Sequence, residues 1–475
     1  MRTAPAALAT LAALALSGCA GTRPSPPPAA RQAPAAMQPP AARFMSPVEY
    51  HKLPNGLRVV LSRDTSTPLA RVGVYYDVGS RQEPRGRSGF AHLFEHLMFE
   101  GSEHLRPGEF TELITSNGGI REGSTQFDFT RYPSRVPSHV LELVLWAEAD
   151  RMRALELDPK RLAVQRDVVK NEVRQNADDQ AYGRFVWSDM PSLAQTKWEN
   201  QHDVYGDMAT LDAASLDDAR QFYRTYYAPN NAALAIYGDF EPAQALAWVR
   251  KYFGDIPSAP RPPRADLREP RQTEEKRVAH TDARAARPAL AIAYHMPPRN
   301  SREFWVMGVI DQLLLQGRDS WLAEAVVQRR GLAAAVYGGV SARHGNLYTV
   351  NGESFWTPYL FHDAAQSPDS ILATIDAEIE RLRAAPVDQA TLARAVIKAR
   401  SDFHFQANTN VGIGRVDLLG TLALFDDDPA RINRIEDEFR AVTPELLHAT
   451  AREYLRPTNR TVLFLHAGAA PAPAP

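Results

Sequence analysis

Cysteine is almost absent from this sequence, which has a single one, Cys19, among 475 residues. A lone cysteine excludes an internal disulfide. An excess of one charge is also missing, because 54 lysines and arginines are balanced by 56 aspartates and glutamates, for a net charge of -2 at pH 7. Without a basic surplus, the composition gives no sign of a nucleic-acid partner. The apolar run at residues 4–16 is too short to span a bilayer.

The chain has enough residues and apolar content for more than one core. Its hydrophobic fraction of 44% and charged fraction of 23% are typical of globular proteins. A chain of this length is expected to form two domains of about 200 residues each, plus terminal extensions. The predicted segments are a signal peptide (1–19), a Pro/Ala-rich tether (20–44), an N-terminal domain (45–256), a linker (257–275), a C-terminal domain (276–468) and a tail (469–475).

The first residues are typical of an export signal, because Arg2 precedes the apolar run and small residues follow it. Residues 16–19 resemble the lipobox of bacterial lipoproteins, which implies that Cys19 is lipidated and becomes the first mature residue. Ala20 replaces the aspartate associated with inner-membrane retention, so the resemblance favours an outer-membrane lipoprotein on the periplasmic side of the cell envelope. The alternative is an ordinary secretory signal with an incidental cysteine.

The two long segments look like diverged copies of one unit. Residues 90–101 and 306–317 have the same apolar spacing, and each stretch follows a strand-like run. Near the end of each copy, a helical pattern leads into a Pro-x-Asn turn and then an apolar strand. Only the first copy has the residues to bind a metal. The second has Gly308, Asp311 and Gln312 where the first has His92, Glu95 and His96.

Within each copy, paired strands come first, helices follow, and a final strand and helix close the unit. Residues 57–62 and 70–78 suit strands, and residues 120–136 suit two more. Long helical patterns occupy residues 138–153, 159–176, 367–384 and 389–408. Strands in runs with helices grouped between them predict an α+β fold, made of two homologous layered α/β sandwich units.

His92 and His96 are four residues apart, so on a helix they share one face and can bind one cation through their imidazoles. Glu95 lies next to His96, close to the same metal without being an obvious ligand. This arrangement supplies what metal-assisted hydrolysis needs, namely a Lewis acid that lowers the pKa of bound water, and a carboxylate that takes the water's proton and returns it to the leaving amine. Because a catalytic zinc usually takes three protein ligands, one ligand is missing from this motif.

Glu172, on the helical stretch at residues 165–174, is our candidate for the third ligand. The pattern His92-x-x-Glu95-His96 with a glutamate at this distance resembles the pitrilysin, insulysin and mitochondrial-processing-peptidase superfamily of inverted-motif zinc peptidases. The resemblance implies that these two histidines and Glu172 bind zinc, that Glu95 is the catalytic base, and that two α+β units enclose unfolded peptides. Cobalt and manganese can use the same ligands, although this donor set is usual for zinc.

A glycine turn and a strand at residues 117–132 lie between the motif and the third ligand. By resemblance, substrate backbone is laid along this strand, in contact with Gly119, Glu122, Gly123, Ser124 and Thr125. The alternative is an ordinary edge strand after a Gly-Gly turn. Three further polar residues near the motif are interpreted as solvated groups, namely Glu100, Glu103 and His104.

The first two departures from the family pattern lie in the metal-bearing copy. Glu122 and Gly123 replace the usual Asn-Ala before x-Thr, which adds a carboxylate near the expected substrate. Gln165 replaces a glutamate that is common seven residues before the third ligand, so a carboxylate that supports the metal site is lost here.

The third departure lies in the second copy. Val327 and Ala334 stand where relatives often have an arginine and a tyrosine that reach the substrate's carbonyl. The oxyanion formed during hydrolysis needs such donors, so we expect a heterodimer in which a related subunit without zinc ligands supplies them. Substitution by Arg329 or Tyr337 after local rearrangement is the alternative.

Three functions are compatible with these observations. The first is a zinc-dependent endopeptidase that acts on peptides or unfolded polypeptides, which the intact metal set favours. The second is a non-catalytic, membrane-tethered scaffold or peptide-binding relative, which the three departures favour. The third is a solute-binding lipoprotein, and only the signal peptide supports it.

Overall fold

The computed structural model describes residues 43–262, 264–341, 345–409 and 414–468. Cys19, the predicted signal peptide, nearly all of the predicted tether and the predicted tail lie outside the described residues. From Phe44 onward the described residues form one compact unit. Phe44, which we predicted as the end of the tether, is instead buried against Phe403, with ring centroids 5.0 Å apart. Among the described helices, none has the length and apolar character to cross a membrane.

The first half of this unit contains one sheet and the helices that cover it. Its strands are β1 (Glu49–Lys52), β2 (Arg58–Arg63), β3 (Leu69–Tyr76), β4 (Ile120–Arg121), β5 (Ser124–Thr125), β6 (Thr130–Pro137) and β7 (Ala232–Gly238). Its helices are α1 (Phe90–Leu97), α2 (Glu109–Ser116), α3 (Leu141–Arg153), α4 (Pro159–Val173), α5 (Met190–Ala194), α6 (Trp198–Gln201), α7 (Met208–Asp212), α8 (Leu216–Tyr226) and α9 (Pro242–Phe253). Two π-helical turns follow α4, at Arg174–Asp178 and Phe185–Asp189.

The second half contains a second sheet with its own helices. Its strands are β8 (Lys276–Asp282), β9 (Ala289–His295), β10 (Tyr337–Val340), β11 (Phe355–Phe361) and β12 (Arg460–Ala467). Its helices are α10 (Arg302–Leu314), α11 (Pro368–Ala384), α12 (Gln389–Asn408), α13 (Arg415–Asp426), α14 (Ile435–Arg440) and α15 (Pro444–Tyr454).

The two sheets share one topology. The first has the order β1-β2-β7-β3-β6-β4, with β5 also paired to β6, and the second has the order β10-β11-β9-β12-β8. In both, the last strand of the half pairs in parallel with a strand from the start of that half. These parallel pairs are β7 with β2 and β12 with β8. The remaining neighbours pair antiparallel, as β7-β3-β6 and β12-β9-β11. The predicted α+β fold of two homologous units is therefore confirmed.

Each half also covers the outer face of the other half's sheet. Helix α13 of the second half packs against β2, β3 and β7, and the hydroxyl of Tyr75 on β3 donates to Asp417 on α13 at 2.7 Å. Conversely, residues 185–194 of the first half pack on the second sheet, in a cluster that includes Phe185, Met190, Ala291 and Leu463. Because each sheet would otherwise expose an apolar face, this exchange joins the halves in one unit.

The predicted elements agree best with the observed ones where the hydrophobic pattern is regular. Helix α12 occupies the whole predicted range, Gln389–Asn408. Residues 120–136 form three strands instead of two, because the segment that pairs with β6 is interrupted at Glu122 and Gly123, between β4 and β5. Strand β1 has no counterpart among the predicted elements.

Candidate metal centre

Helix α1 directs two histidines toward one point. The helix begins after Gly89, whose φ of 84° favours glycine. His92 and His96 lie one turn apart, with their Nε2 atoms 3.3 Å from each other and their ring centroids 5.0 Å apart. The side chain of His92 is buried, whereas that of His96 is 21% exposed. One of the two imidazoles is therefore accessible from solvent.

Helix α4 brings the third predicted ligand to the same point. Asp158 caps its first turn by accepting hydrogen bonds from two backbone N–H groups. Glu172 lies in its last turn, and α4 packs against α1. Glu172 Oε1 is 3.6 Å from His92 Nε2, and Oε2 is 3.2 Å from His96 Nε2. The structure thus brings together the three side chains that we predicted as ligands, and all three donor atoms lie within 4.8 Å of one another.

The spacing of these donors suits a zinc ion. Bonds of about 2.0–2.1 Å in a tetrahedron separate the ligand atoms by about 3.3 Å. Here the two imidazole nitrogens are 3.3 Å apart, Glu172 Oε1 is 3.6 Å from that of His92, and Glu172 Oε2 is 3.2 Å from that of His96. Two imidazoles and one carboxylate also form a typical catalytic zinc set, which leaves a fourth position for water. The residues present therefore fit the metal that the motif implies.

The charges around the cluster favour a cation. Hydrogen bonds with His92 and His96 hold the pKa of Glu172 far below its usual range, so the carboxylate is ionised. Burial lowers the pKa of His92, but the hydrogen bond with Glu172 and the nearby charge of Glu95 outweigh burial and raise this pKa overall. Two carboxylates beside buried imidazoles stabilise positive charge at this point.

Glu95 lies beside the cluster and is held by residues of β5 and the segment before it. Its Oε2 accepts a hydrogen bond from Thr125 Oγ1 at 2.8 Å. Gly123 approaches it so closely that a Cβ there would lie 3.0 Å from Glu95 Cγ and 3.1 Å from a ring carbon of Phe99. Glu95 is not one of the three clustered donors, so its carboxylate is available for proton transfer.

A buried glutamate that we did not predict fixes the start of α1. Glu83 accepts hydrogen bonds from the backbone N–H groups of Gly89 at 2.9 Å and Ala91 at 2.8 Å. His202 Nε2 lies 3.2 Å from the same carboxylate. Burial raises the pKa of Glu83, and the hydrogen bond with His202 opposes this rise. An acid shortly before a helix is the signal that could have identified this cap.

The predicted substrate-binding residues lie along the edge of the first sheet. Ser124 and Thr125 form β5 and pair with β6. Gly119 packs against β6 so closely that a Cβ there would lie 2.7 Å from Val136. Thr125 faces the cluster, because its hydroxyl bonds to Glu95. Glu122 lies on the other side of the sheet, near Tyr75. The pKa of Tyr75 is raised mainly by burial, and the charge of Glu122 also raises it.

Other polar residues near the motif differ in their surroundings. Gln165 is buried in α4. Glu103 and His104 are exposed, and His104 Nδ1 also lies 2.6 Å from Oδ1 of the buried Asp150. Ser102 donates to the same carboxylate at 2.6 Å. Glu103, His104 and Asp150 form a second group of possible ligands, and Asp150 is already hydrogen-bonded within it.

The two substitutes that we considered in the second half do not meet at the cluster. Arg329 forms an ion pair with Glu378 on α11. Tyr337 stacks on Tyr359 across β10 and β11, with ring centroids 5.6 Å apart. Among the described residues, the ion pair of Arg329 and the ring contacts of Tyr337 therefore lie within the second half of the chain.

A cavity of about 440 Å³ lies next to the cluster and has walls from both halves of the chain. We name it the aromatic cavity, since its lining includes Tyr182, Phe185, Trp187, Tyr205, Tyr359 and Phe361. The ring of Tyr205 lies 5.6 Å from that of His92, which connects the cavity to the metal cluster. The sequence signal for this cavity is the density of aromatic residues after α4, at Tyr182, Phe185 and Trp187.

The fold, the duplicated sheets and the inverted histidine motif define a metallopeptidase family, and the chain belongs to peptidase family M16. The family described as insulinase (peptidase family M16) matches residues 58–195, which include the whole metal cluster. The domain described as peptidase M16 inactive domain matches residues 213–398, which include Asp311, the counterpart of Glu95 in the second half. The family assignment agrees with our resemblance to the pitrilysin and processing-peptidase superfamily.

Individual relatives extend over nearly the whole chain. It is 26% identical over 431 residues to a protein named zinc protease PqqE from Helicobacter pylori, covering 90% of this chain and 94% of that protein. It also resembles the crystal structure of a protease from Helicobacter pylori, with a TM-score of 0.80 and 25% identity. The match covers 89% of this chain and 100% of that one. The peptidase M16 inactive domain from Pseudomonas fluorescens has the same fold, with a TM-score of 0.77 at 17% identity. That match covers 90% of this chain and 99% of the other.

Proposed function

We propose that this protein is a zinc-dependent endopeptidase that hydrolyses peptides or unfolded polypeptides. The observation that carries the proposal is the convergence of His92, His96 and Glu172 beside a separate carboxylate, Glu95. A bound zinc ion supplies Lewis-acid chemistry, which polarises the scissile carbonyl and lowers the pKa of water. In this site, Glu95 takes the proton of the attacking water and transfers it to the leaving amine.

The substrate is proposed to bind as an added β-strand along the edge that contains β5. Ser124 and Thr125 lie in this short strand, and Thr125 links it to Glu95 by a hydrogen bond. Backbone pairing of this kind aligns an extended chain without selecting its side chains. It therefore suits peptides and unfolded polypeptides better than folded proteins, in which backbone groups are already hydrogen-bonded.

Location and partner form further parts of the proposal. The signal-like N-terminus and Cys19 support attachment of the chain to a membrane of the cell envelope, on the periplasmic side and most simply the outer membrane. Val327 and Ala334 support a heterodimer in which a related subunit contributes an arginine and a tyrosine. Incubation with the product of a related neighbouring gene tests this partner, and an unchanged cleavage rate would contradict it.

A Glu95→Gln variant tests the peptidase function. We expect the zinc-loaded wild type to cleave an unfolded polypeptide, and the variant to lose about 1,000-fold in kcat while it retains one zinc per chain. Glu103→Gln, which changes an exposed glutamate outside the metal cluster, is the matched control and should retain activity. A zinc-loaded wild type that cleaves no unfolded polypeptide would instead support the non-catalytic scaffold.

A further inference from the structure

Tyr205 is held rigidly next to the helix that carries the histidines. It lies in the loop between α6 and α7, where the backbone N–H groups of Tyr205 and Gly206 both donate to Asp203 Oδ1 at 3.0 Å. The loop packs on the start of α1 so tightly that a Cβ at Gly89 would lie 2.8 Å from the carbonyl oxygen of Tyr205. Ser88 holds the loop as well, because its Oγ accepts a hydrogen bond from the backbone N–H of Asp207 at 3.1 Å. The position of Tyr205 relative to His92 is therefore set by the backbone.

The side chain of Tyr205 lies between the metal cluster and the aromatic cavity. Its ring is 5.6 Å from that of His92 on one side and 5.9 Å from that of Trp187 on the other. Its hydroxyl oxygen accepts a hydrogen bond from the side-chain amide of Asn176, one helical turn beyond Glu172, so the hydroxyl proton remains available. A tyrosine phenol, whose usual pKa is about 10, is protonated at neutral pH and can donate a hydrogen bond.

Peptide hydrolysis places negative charge on the oxygen of the scissile carbonyl, and donors aimed at that oxygen accelerate the reaction. In the second half, Val327 and Ala334 offer no side-chain donor. Tyr182 also lines the aromatic cavity, but its hydroxyl is occupied, because it donates to the carbonyl of Arg287 at 2.8 Å and accepts the N–H of that residue at 2.9 Å. Tyr205 is the lining phenol that contacts a metal-cluster side chain.

We propose that the Tyr205 hydroxyl donates a hydrogen bond to the scissile carbonyl oxygen as negative charge develops there. This assignment rests on the proposed peptidase function and adds a catalytic residue from the first half of the chain. It gives the isolated chain one donor of its own, whether or not a partner subunit adds others. Because the bond forms with a charge that appears only during the reaction, it affects kcat more than KM.

The test compares zinc-loaded wild type with Tyr205→Phe, which keeps the ring against His92 and removes only the hydroxyl. Tyr359→Phe makes the same change at a residue that lines the aromatic cavity from the second half, and it is the matched control. The measurements are kcat and KM on an unfolded polypeptide, and the inhibition constant of a phosphinic peptide, whose tetrahedral phosphorus mimics the reacting carbon. Zinc content and Tm are measured for each protein.

We expect Tyr205→Phe to lose about 10- to 100-fold in kcat and a similar factor in phosphinic-peptide affinity, with KM within about twofold. Zinc content, Tm and the control should match the wild type. If the wild type cleaves and Tyr205→Phe equals it in kcat and inhibitor affinity, the assignment of Tyr205 is wrong. A variant that loses zinc in proportion to its activity also overturns the assignment. If the wild type itself is inactive with zinc bound, the proposed function is wrong as well.

Discussion

Thr125 donates a hydrogen bond from Oγ1 to Oε2 of Glu95 at 2.8 Å, and so links the strand proposed to bind substrate to the proposed catalytic base. The same hydroxyl lies 3.4 Å from the carbonyl of Ala91 in α1. Because Thr125 also pairs with Thr130 in β6, the orientation of Glu95 depends on the sheet as well as on its own helix. A base held by a second element is positioned for proton transfer before substrate arrives.

Removal of this hydrogen bond should slow catalysis without loss of zinc. We expect Thr125→Val, which keeps the shape and removes the hydroxyl, to lower kcat about 10-fold, a cost of about 1.4 kcal/mol. Thr125→Ser retains the hydroxyl and should stay close to the wild type. The measurement is kcat on an unfolded polypeptide together with zinc content. Equal rates for Thr125→Val and wild type would show that the bond does not orient Glu95.

The zinc stoichiometry should depend on the cluster of His92, His96 and Glu172, and not on the group of Glu103, His104 and Asp150. We expect wild type to bind one zinc ion per chain, and His92→Ala and Glu172→Ala to lower zinc affinity strongly because each removes a ligand. His104→Ala alters the second group of possible ligands, near Asp150, and should leave the stoichiometry at one. The measurement is titration with zinc against a chelator. Loss of zinc in His104→Ala alone would place the metal elsewhere.

Glu83 should stabilise both the helix start and the metal site. Its carboxylate accepts two backbone N–H groups at the start of α1, so Glu83→Ala leaves buried donors without a partner. We expect a loss of about 2–4 kcal/mol in the free energy of unfolding, and a drop of about 10- to 100-fold in zinc affinity, since α1 carries both histidines. Glu112→Ala, an exposed change on α2, is the control. Wild-type zinc affinity in a folded Glu83→Ala protein would contradict this role.

Asp311 should make stability depend on pH. This counterpart of Glu95 is buried in α10 and accepts a hydrogen bond from Trp356 Nε1 at 2.7 Å. Burial raises its pKa from 3.8 to about 7. The folded protein therefore holds a proton that the unfolded chain releases between these values, so stability is highest at the acidic end and falls as pH rises, by at most about 1.4 kcal/mol per pH unit.

An Asp311→Asn variant tests this dependence, because an amide keeps the shape and does not ionise. We expect the stability of the variant relative to wild type to increase from pH 5 to pH 8. Urea unfolding at several pH values measures the difference, and Asp167→Asn, an exposed change on α4, is the control. A constant difference between Asp311→Asn and wild type over this range would show that Asp311 is ionised throughout in the folded protein.

The parts of the site that follow helical periodicity could be predicted from sequence. Four-residue spacing determines that His92 and His96 share a face, and the resemblance identified Glu172 on a second helix, where the structure has it. Neither spacing nor propensity gives the position of Tyr205, because it depends on a loop that packs against Gly89. The cap formed by Glu83 lies before the helix and outside its periodic pattern, so we did not predict it.

The exchange of segments between the halves was also beyond a sequence argument. The duplication predicted two similar units, and the five strands β2-β7-β3-β6-β4 of the first sheet correspond in order to β8-β12-β9-β11-β10 of the second. However, residues 185–194 and α13 each bury apolar side chains against the other half, and their own periodicity does not reveal which surface they cover. Such contacts depend on distant parts of the chain, which explains why Phe44 was also assigned to the wrong segment.

Anomalous diffraction at the zinc absorption edge, from crystals of zinc-loaded Glu95→Gln protein, tests the central claim most directly. We expect one zinc peak about 2.0–2.2 Å from His92 Nε2, His96 Nε2 and a carboxylate oxygen of Glu172. A zinc ion bound elsewhere, or coordinated by the two histidines with Glu172 turned away, would contradict the account.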